Sequence, residues 1–231
     1  AHLLKLKQVE TGNKLANTEA ILYVNQQFHF WNKLENKEVS FSKNNFPELP
    51  VNPTVYIDSP HFNLIPFAIA ENISENEKAS FLSANSENKS LVNHKIHLLN
   101  SELSWLIDND ENNFIKNKIP GVTIKHITEA IINLNTHPKN SIRLLNTSSA
   151  IFVSIHLNNQ FKLINRFPIT NNDDLLYYTL LSIKETELSK TTFTLNYHGA
   201  KNDDFIKKLK TTLPNCTIEK AEPNSYLSIV N

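Results

Sequence analysis

The chain has 231 residues, enough for one large domain or two small ones. Lys and Arg together number 23, as do Asp and Glu, so the formal net charge at pH 7 is zero. A dedicated nucleic-acid binder needs a cationic surplus to displace counterions from phosphates, so nucleic acid is not the expected partner. The cations are also of the wrong kind: only Arg143 and Arg166 carry the guanidinium fork that suits phosphate. Hydrophobic residues at 40% suffice for a buried core and exclude wholesale disorder. Cys216 is the single cysteine, which excludes an intrachain disulfide and a cysteine-based metal cluster. No apolar run approaches the roughly 20 residues of a membrane span. The start, Ala1 to Glu10, alternates Lys with Leu and lacks the apolar region of a signal peptide, so the expected location is cytoplasmic. Glycine occurs only three times, at Gly12, Gly121 and Gly199. A glycine needed for backbone approach to a phosphate has no substitute, so such glycines should survive this scarcity.

In chain order, Ala20–Phe41 predicts a β-meander. Its three runs are rich in aromatic and β-branched residues, and Asn25-Gln26 and Glu35-Asn36-Lys37 suit tight turns between them. Thr54–Ile57 and Asn63–Pro66 read as extended and Ser74–Leu82 as helical. Lys95–Asn100 and Leu103–Ile107 alternate as strands, and Asp110–Ile119 is a short helix ended by Pro120-Gly121. Val122 to His126 alternates again and leads into a helix over Glu129–Leu134. His137-Pro138-Lys139-Asn140 is the candidate linker, giving domains at 1–138 and 139–231.

The second half opens on a hairpin, Ala150–Leu157 and Gln160–Phe167 around Asn158-Asn159. Laid on the first, it matches at Asn25, Gln27, Phe28 and Asn32, as duplication produces and as an Asn-rich chain also produces by chance. Thr170 or Asn172 caps a helix over Asp173–Glu185. Its apolar residues almost encircle it, which predicts the most buried helix and a large loss for Leu176→Ala. Phe193, Leu195 and Tyr197 share one strand face up to Gly199. Asn202 caps an amphipathic helix through Phe205, Leu209 and Leu213, and Thr217-Ile218-Glu219 forms a last strand.

A meander followed by strand–helix alternation, occurring twice, is the layout of the actin and sugar-kinase superfold. The predicted fold class is therefore α/β: two ribonuclease-H-like lobes, each a mixed five-stranded sheet with helices. The stretches Phe62-Asn63-Leu64-Ile65-Pro66, Phe167 to Tyr178 and Leu195-Asn196-Tyr197-His198-Gly199 add to this. In order and spacing the chain resembles the uncharacterised Bacteroidetes family known as domain of unknown function 3822. The resemblance implies an actin-like ATPase fold and supplies no activity.

Actin-type ATPases place an Asp-x-Gly turn in each lobe's first hairpin, where glycine admits the phosphates and carboxylates organise the metal. Here the first lobe offers Asn25-Gln26, and the second offers Asn158-Asn159 or, if a strand precedes that hairpin, Asn146-Thr147-Ser148-Ser149. None contains Asp or Gly. If a nucleotide binds, Asn146, Ser148 and Gly199 are the candidate binding residues, although Asp203 and Asp204 after Gly199 would repel phosphate. No catalytic or metal-ligating residue is assigned. His94 and His97, three apart on a strand, point to opposite faces, and His29, His126 and His156 read as sheet-surface or core-rim histidines. The expected function is a non-catalytic, pseudo-ATPase binding or scaffold protein with a protein partner and no cofactor. The alternative is an ATP-binding protein or phosphotransferase with noncanonical phosphate loops, using ATP with magnesium and recruiting a carboxylate such as Asp58 or Asp108, of which Asp58 is the better placed at the end of an extended run.

Overall fold

The computed structural model describes residues 20–32, 37–47, 49, 52–83, 85–133, 139–199 and 202–220. The meander forms as β1 (Ala20–Val24), β2 (Gln27–Asn32) and β3 (Lys37–Ser42), all antiparallel. β4 (Thr54–Ile57) pairs in parallel with β1. An insertion follows: β5 (Phe62–Pro66), α1 (Phe67–Ala70), α2 (Glu75–Leu82), β6 (Lys89–Ile96), β7 (Ser101–Asp108) and α3 (Asn109–Lys118). Its strands form a separate antiparallel sheet of order β5-β7-β6. β8 (Thr123–His126) then joins β4 in parallel, completing a sheet of order β3-β2-β1-β4-β8, and α4 (Ile127–Asn133) follows.

The second sheet repeats this order with β9 (Ser141–Asn146), β10 (Ala150–Leu157), β11 (Gln160–Pro168), β12 (Phe193–Gly199) and β13 (Cys216–Lys220). It runs β11-β10-β9-β12-β13, with α5 (Asn172–Glu185) before β12 and α6 (Asp203–Thr212) before β13. Two mixed five-stranded sheets are thus present, one using residues 20–126 and the other 141–220. The linker expected at His137-Pro138 lies outside the described residues.

Four readings are corrected. β9, which the sequence left conditional, is present, and all six of its residues are buried, including the charged Arg143. Its presence moves the overlay by one strand. β1 and β9 are the equivalent central strands, each with an antiparallel neighbour on one side and a parallel one on the other, so the β1–β2 hairpin corresponds to β9–β10. The strand expected at Lys95–Asn100 instead ends at Ile96, because His97–Leu99 close a 3-10 turn and Asn100 turns left-handed at φ 50°. The most buried helix is α4, not α5: Ile127, Thr128, Ile131 and Ile132 are each at most 1% exposed, whereas Tyr177 of α5 is 59% exposed. α5 buries Leu175, Thr179, Ser182 and Ile183 and leaves Leu176 half-buried. Its cap is Asn171, whose Oδ1 accepts from the N–H groups of Asp173 and Asp174 at 2.8 and 2.9 Å.

Each five-stranded sheet has its own core, and the three-stranded sheet shares the first. Ile21, Phe28, Val55, Leu103, Trp105 and Ile115 belong to the first, and Ile142, Val153, Leu175, Leu195 and Phe205 to the second. A third apolar cluster joins them: Leu22, Val24, Ile127 and Ile131 from one lobe against Leu145 and Phe152 from the other. Burying such a cluster removes water from both lobes at once, so the lobes are held by the same force that makes their cores.

Candidate functional site

The β1–β2 turn consists of Asn25 and Gln26, with φ of 51° and 62°. Two successive left-handed residues make the tight hairpin whose twist matches the flanking strands. The equivalent turn in the second lobe is Thr147-Ser148-Ser149, held by its own hydrogen bonds. The Thr147 N–H donates to the Ala150 carbonyl at 2.9 Å, and the Ser148 N–H donates to Asn146 Oδ1 at 2.9 Å. The Asn146 amide in turn donates to the Tyr197 hydroxyl at 2.8 Å.

Because β1 and β9 hold the same place in their sheets, these two turns meet across the seam. The Asn25 side-chain amide donates to the Thr147 carbonyl, and Ser149 Oγ donates to Asn25 Oδ1 at 2.6 Å. Asp58 is the first residue after β4, anchored by its N–H donating to the Tyr23 carbonyl at 3.1 Å. Its carboxylate takes both forks of Arg166 on β11, Nε to Oδ1 at 2.7 Å and Nη2 to Oδ2 at 3.2 Å. Thr147 Oγ1 lies 3.5 Å from Asp58 Oδ2. The side chains of Asp58 and Arg166 are only 4% and 14% exposed. The guanidinium also sits over the Phe152 ring, 5.8 Å from its centroid.

The structure therefore brings Asn146, Ser148 and Gly199 together. Gly199 pairs in register with Asn146, and a Cβ on it would stand 2.1 Å from the Asn146 carbonyl oxygen. Its φ of 97° is also unfavourable to any side chain. Close packing of strand on strand accounts for this glycine. The amide turn Asn158-Asn159, the other candidate, belongs to the β10–β11 hairpin, and Asn159 donates its N–H to the Lys139 carbonyl.

The histidines separate as follows. His94 bonds Glu129 of α4, while His97 meets the Phe67 ring edge-on, so the two do not converge. His29 bonds Glu38 at 3.0 Å. His126 is not at a rim: it is fully buried among Phe62, Trp105 and Phe152. Its Nδ1 accepts from the Thr128 N–H, so Nε2 carries the proton and donates to the Ser59 carbonyl. Burial pushes its pKa down to about 3. Asp108 caps α3, accepting from the N–H groups of Asp110 and Glu111. Sequence reasoning missed Arg166 and the turn-to-turn contact. The available signal for Arg166 was the presence of one of only two arginines within a strand otherwise made for a sheet.

Two sheets of this order, joined along a seam beside their central turns, define the actin-like ATPase fold. A Bacteroides thetaiotaomicron protein with actin-like ATPase fold and unknown function matches at TM-score 0.69 and 16% identity, over 91% of this chain and 93% of that one. Residues 21–216 match the family described as protein of unknown function (DUF3822), and the chain belongs to that family. The cytoplasmic domain of EpsL, an inner membrane component of the type II secretion system of Vibrio cholerae, matches at TM-score 0.46 and 10% identity, over 90% of this chain and 86% of that one. No curated protein sequence matches the chain. Among the described residues, no helix is long and apolar enough to cross a membrane.

Proposed function

We propose that this protein is a non-catalytic binding or scaffold protein of the actin-like fold, acting through a protein partner. The observation that carries the reading is the contact of the two central turns with each other, Asn25 with Thr147 and Ser149. In a working ATPase of this fold those turns receive phosphates and a metal. Here they offer amides and hydroxyls, which cannot supply the negative charge that holds magnesium. The N–H groups of Thr147 and Ser148 already have acceptors within their own turn. Asp58, the carboxylate that does reach the seam, has both oxygens on Arg166. The residues present do not fit a magnesium nucleotide.

The test is magnesium-dependent phosphate release from ATP by purified protein, with Asp58→Asn as control. No release above a protein-free blank is expected. Release by the wild type that Asp58→Asn abolishes would establish the alternative, an ATP-using enzyme with noncanonical loops in which Asn146, Ser148 and Gly199 border the nucleotide.

A further inference from the structure

We propose that the outward face of α5 is a self-complementary surface on which a second copy of this chain docks, its own α5 running antiparallel to the first. This surface lies away from the seam, so the proposal holds whether or not a nucleotide binds there. α5 buries Leu175, Thr179, Ser182 and Ile183 against its own lobe. On the opposite side Asp173, Tyr177, Leu180 and Lys184 recur every three or four residues and so lie along one line of the helix, with Leu181 beside them. Tyr177, near the middle of that line, is 59% exposed. Leu180 and Leu181 are half-buried and extend the apolar surface around it.

The stripe carries opposite charges at its two ends. Asp173 lies in the first turn with its side chain 87% exposed; its neighbour Lys208 of α6, at 3.4 Å, is also held by Asp204 at 3.3 Å. Lys184 lies exposed in the last turn, and among the described residues it has no ion-pair partner. A twofold axis through the middle of the stripe therefore sets Asp173 of each copy against Lys184 of the other, and Tyr177 against Leu180. Parallel docking would oppose like charges at both ends. The pattern selects a second copy as the occupant, because one stripe supplies both the anion and the cation, and each pair is made twice. Tyrosine suits the centre of such a contact, since its ring is dried while its hydroxyl reaches the wet rim. The 14 residues of α5 span about 21 Å, so one helix face buries less than the roughly 800 Å² per partner of a standard interface. The dimer is accordingly weak and depends on protein concentration.

The experiment is sedimentation velocity of wild type, Tyr177→Arg, Lys184→Glu and Asp173→Lys at protein concentrations from about 10 μM to about 1 mM. No nucleotide is present, and circular-dichroism melting checks that each variant folds. Wild type should pass from monomer toward dimer within that range, and Tyr177→Arg should stay monomeric. Lys184→Glu and Asp173→Lys should each weaken the dimer about tenfold, because two attractive pairs become two repulsive ones. An equimolar mixture of those two variants should regain wild-type association, since every pair between unlike copies is then of opposite sign. If Asp173→Lys does not fold, Tyr177→Arg and Lys184→Glu decide by the same criteria. The proposal is overturned by a wild type that stays monomeric throughout, by a dimer that either Tyr177→Arg or Lys184→Glu leaves unchanged, or by folded charge variants that do not recombine. Phosphate release from ATP would overturn the non-catalytic reading and leave this one standing, so the two failures are distinct.

Discussion

Asn25, Asn52, Asn88, Asn100, Asn158 and Asn159 all adopt positive φ, between 50° and 63°. Asparagine tolerates this region because its short amide can bond locally, so a glycine-poor chain can still close its hairpins. What asparagine cannot do is vacate the space above the turn. Gly199 is different, since it has both a positive φ and the Asn146 carbonyl where a Cβ would stand. Gly199→Ala should cost about 2 kcal/mol or more in urea unfolding, combining left-handed strain with the clash. A loss under about 0.5 kcal/mol would contradict the packing role. The buried histidines predict a pH response. Burial lowers the pKa of His126 to about 3 and of His198 to about 4, with the Arg143 charge adding to the latter. The unfolded chain takes up protons near pH 6.5 that the folded chain refuses, so their contribution is intact above pH 6.5 and lost as pH falls toward those values. Each histidine then removes up to about 1.4 kcal/mol per pH unit. Melting temperature should fall between pH 7 and pH 5, above the range where carboxylates titrate, and His126→Gln should make the fall shallower. An equally steep fall in that variant would remove His126 as a cause.

At the scale of elements, the starts of α2, α3, α5 and α6 were legible to within one residue because capping is local chemistry. Ser74 and Glu77 complete a capping box, and Asn202 accepts from the Phe205 N–H at 3.0 Å. Burial was less legible, because it depends on what an element meets. α4 is short, yet it sits between the lobes, where Ile127 and Ile131 reach the shared cluster and the Ile131 carbonyl accepts from Arg143 Nη1 at 2.9 Å. α5 has apolar residues around most of its circumference, yet it packs on β10 and α6 and leaves Tyr177 exposed. The core residue there is Leu175, 1% exposed, and Leu175→Ala should cost about 2–5 kcal/mol. The half-buried Leu176 should lose less, under about 2 kcal/mol. The two values in reversed order, from chemical denaturation, would show that α5 is rotated.

At the scale of the whole molecule, duplication of the 3-2-1-4-5 sheet order places two central turns beside each other, and the function turns on what those turns hold. Their composition was readable in advance, amides where the fold's ATPases carry carboxylates. Their contact was not, because Asn25 and Thr147 are 122 positions apart and no local pattern encodes that meeting. The Asp58–Arg166 pair spans 108 positions and was hidden for the same reason. The account predicts a seam closed by its own side chains, with the apolar cluster of Leu22, Ile127, Leu145 and Phe152 holding it. The most direct measurement is the melting temperature of wild-type protein with and without millimolar ATP and magnesium, since any ligand of the native state must stabilise it. No shift beyond that produced by an equal concentration of magnesium chloride and sodium phosphate is predicted. A rise of several degrees specific to the nucleotide would contradict the account.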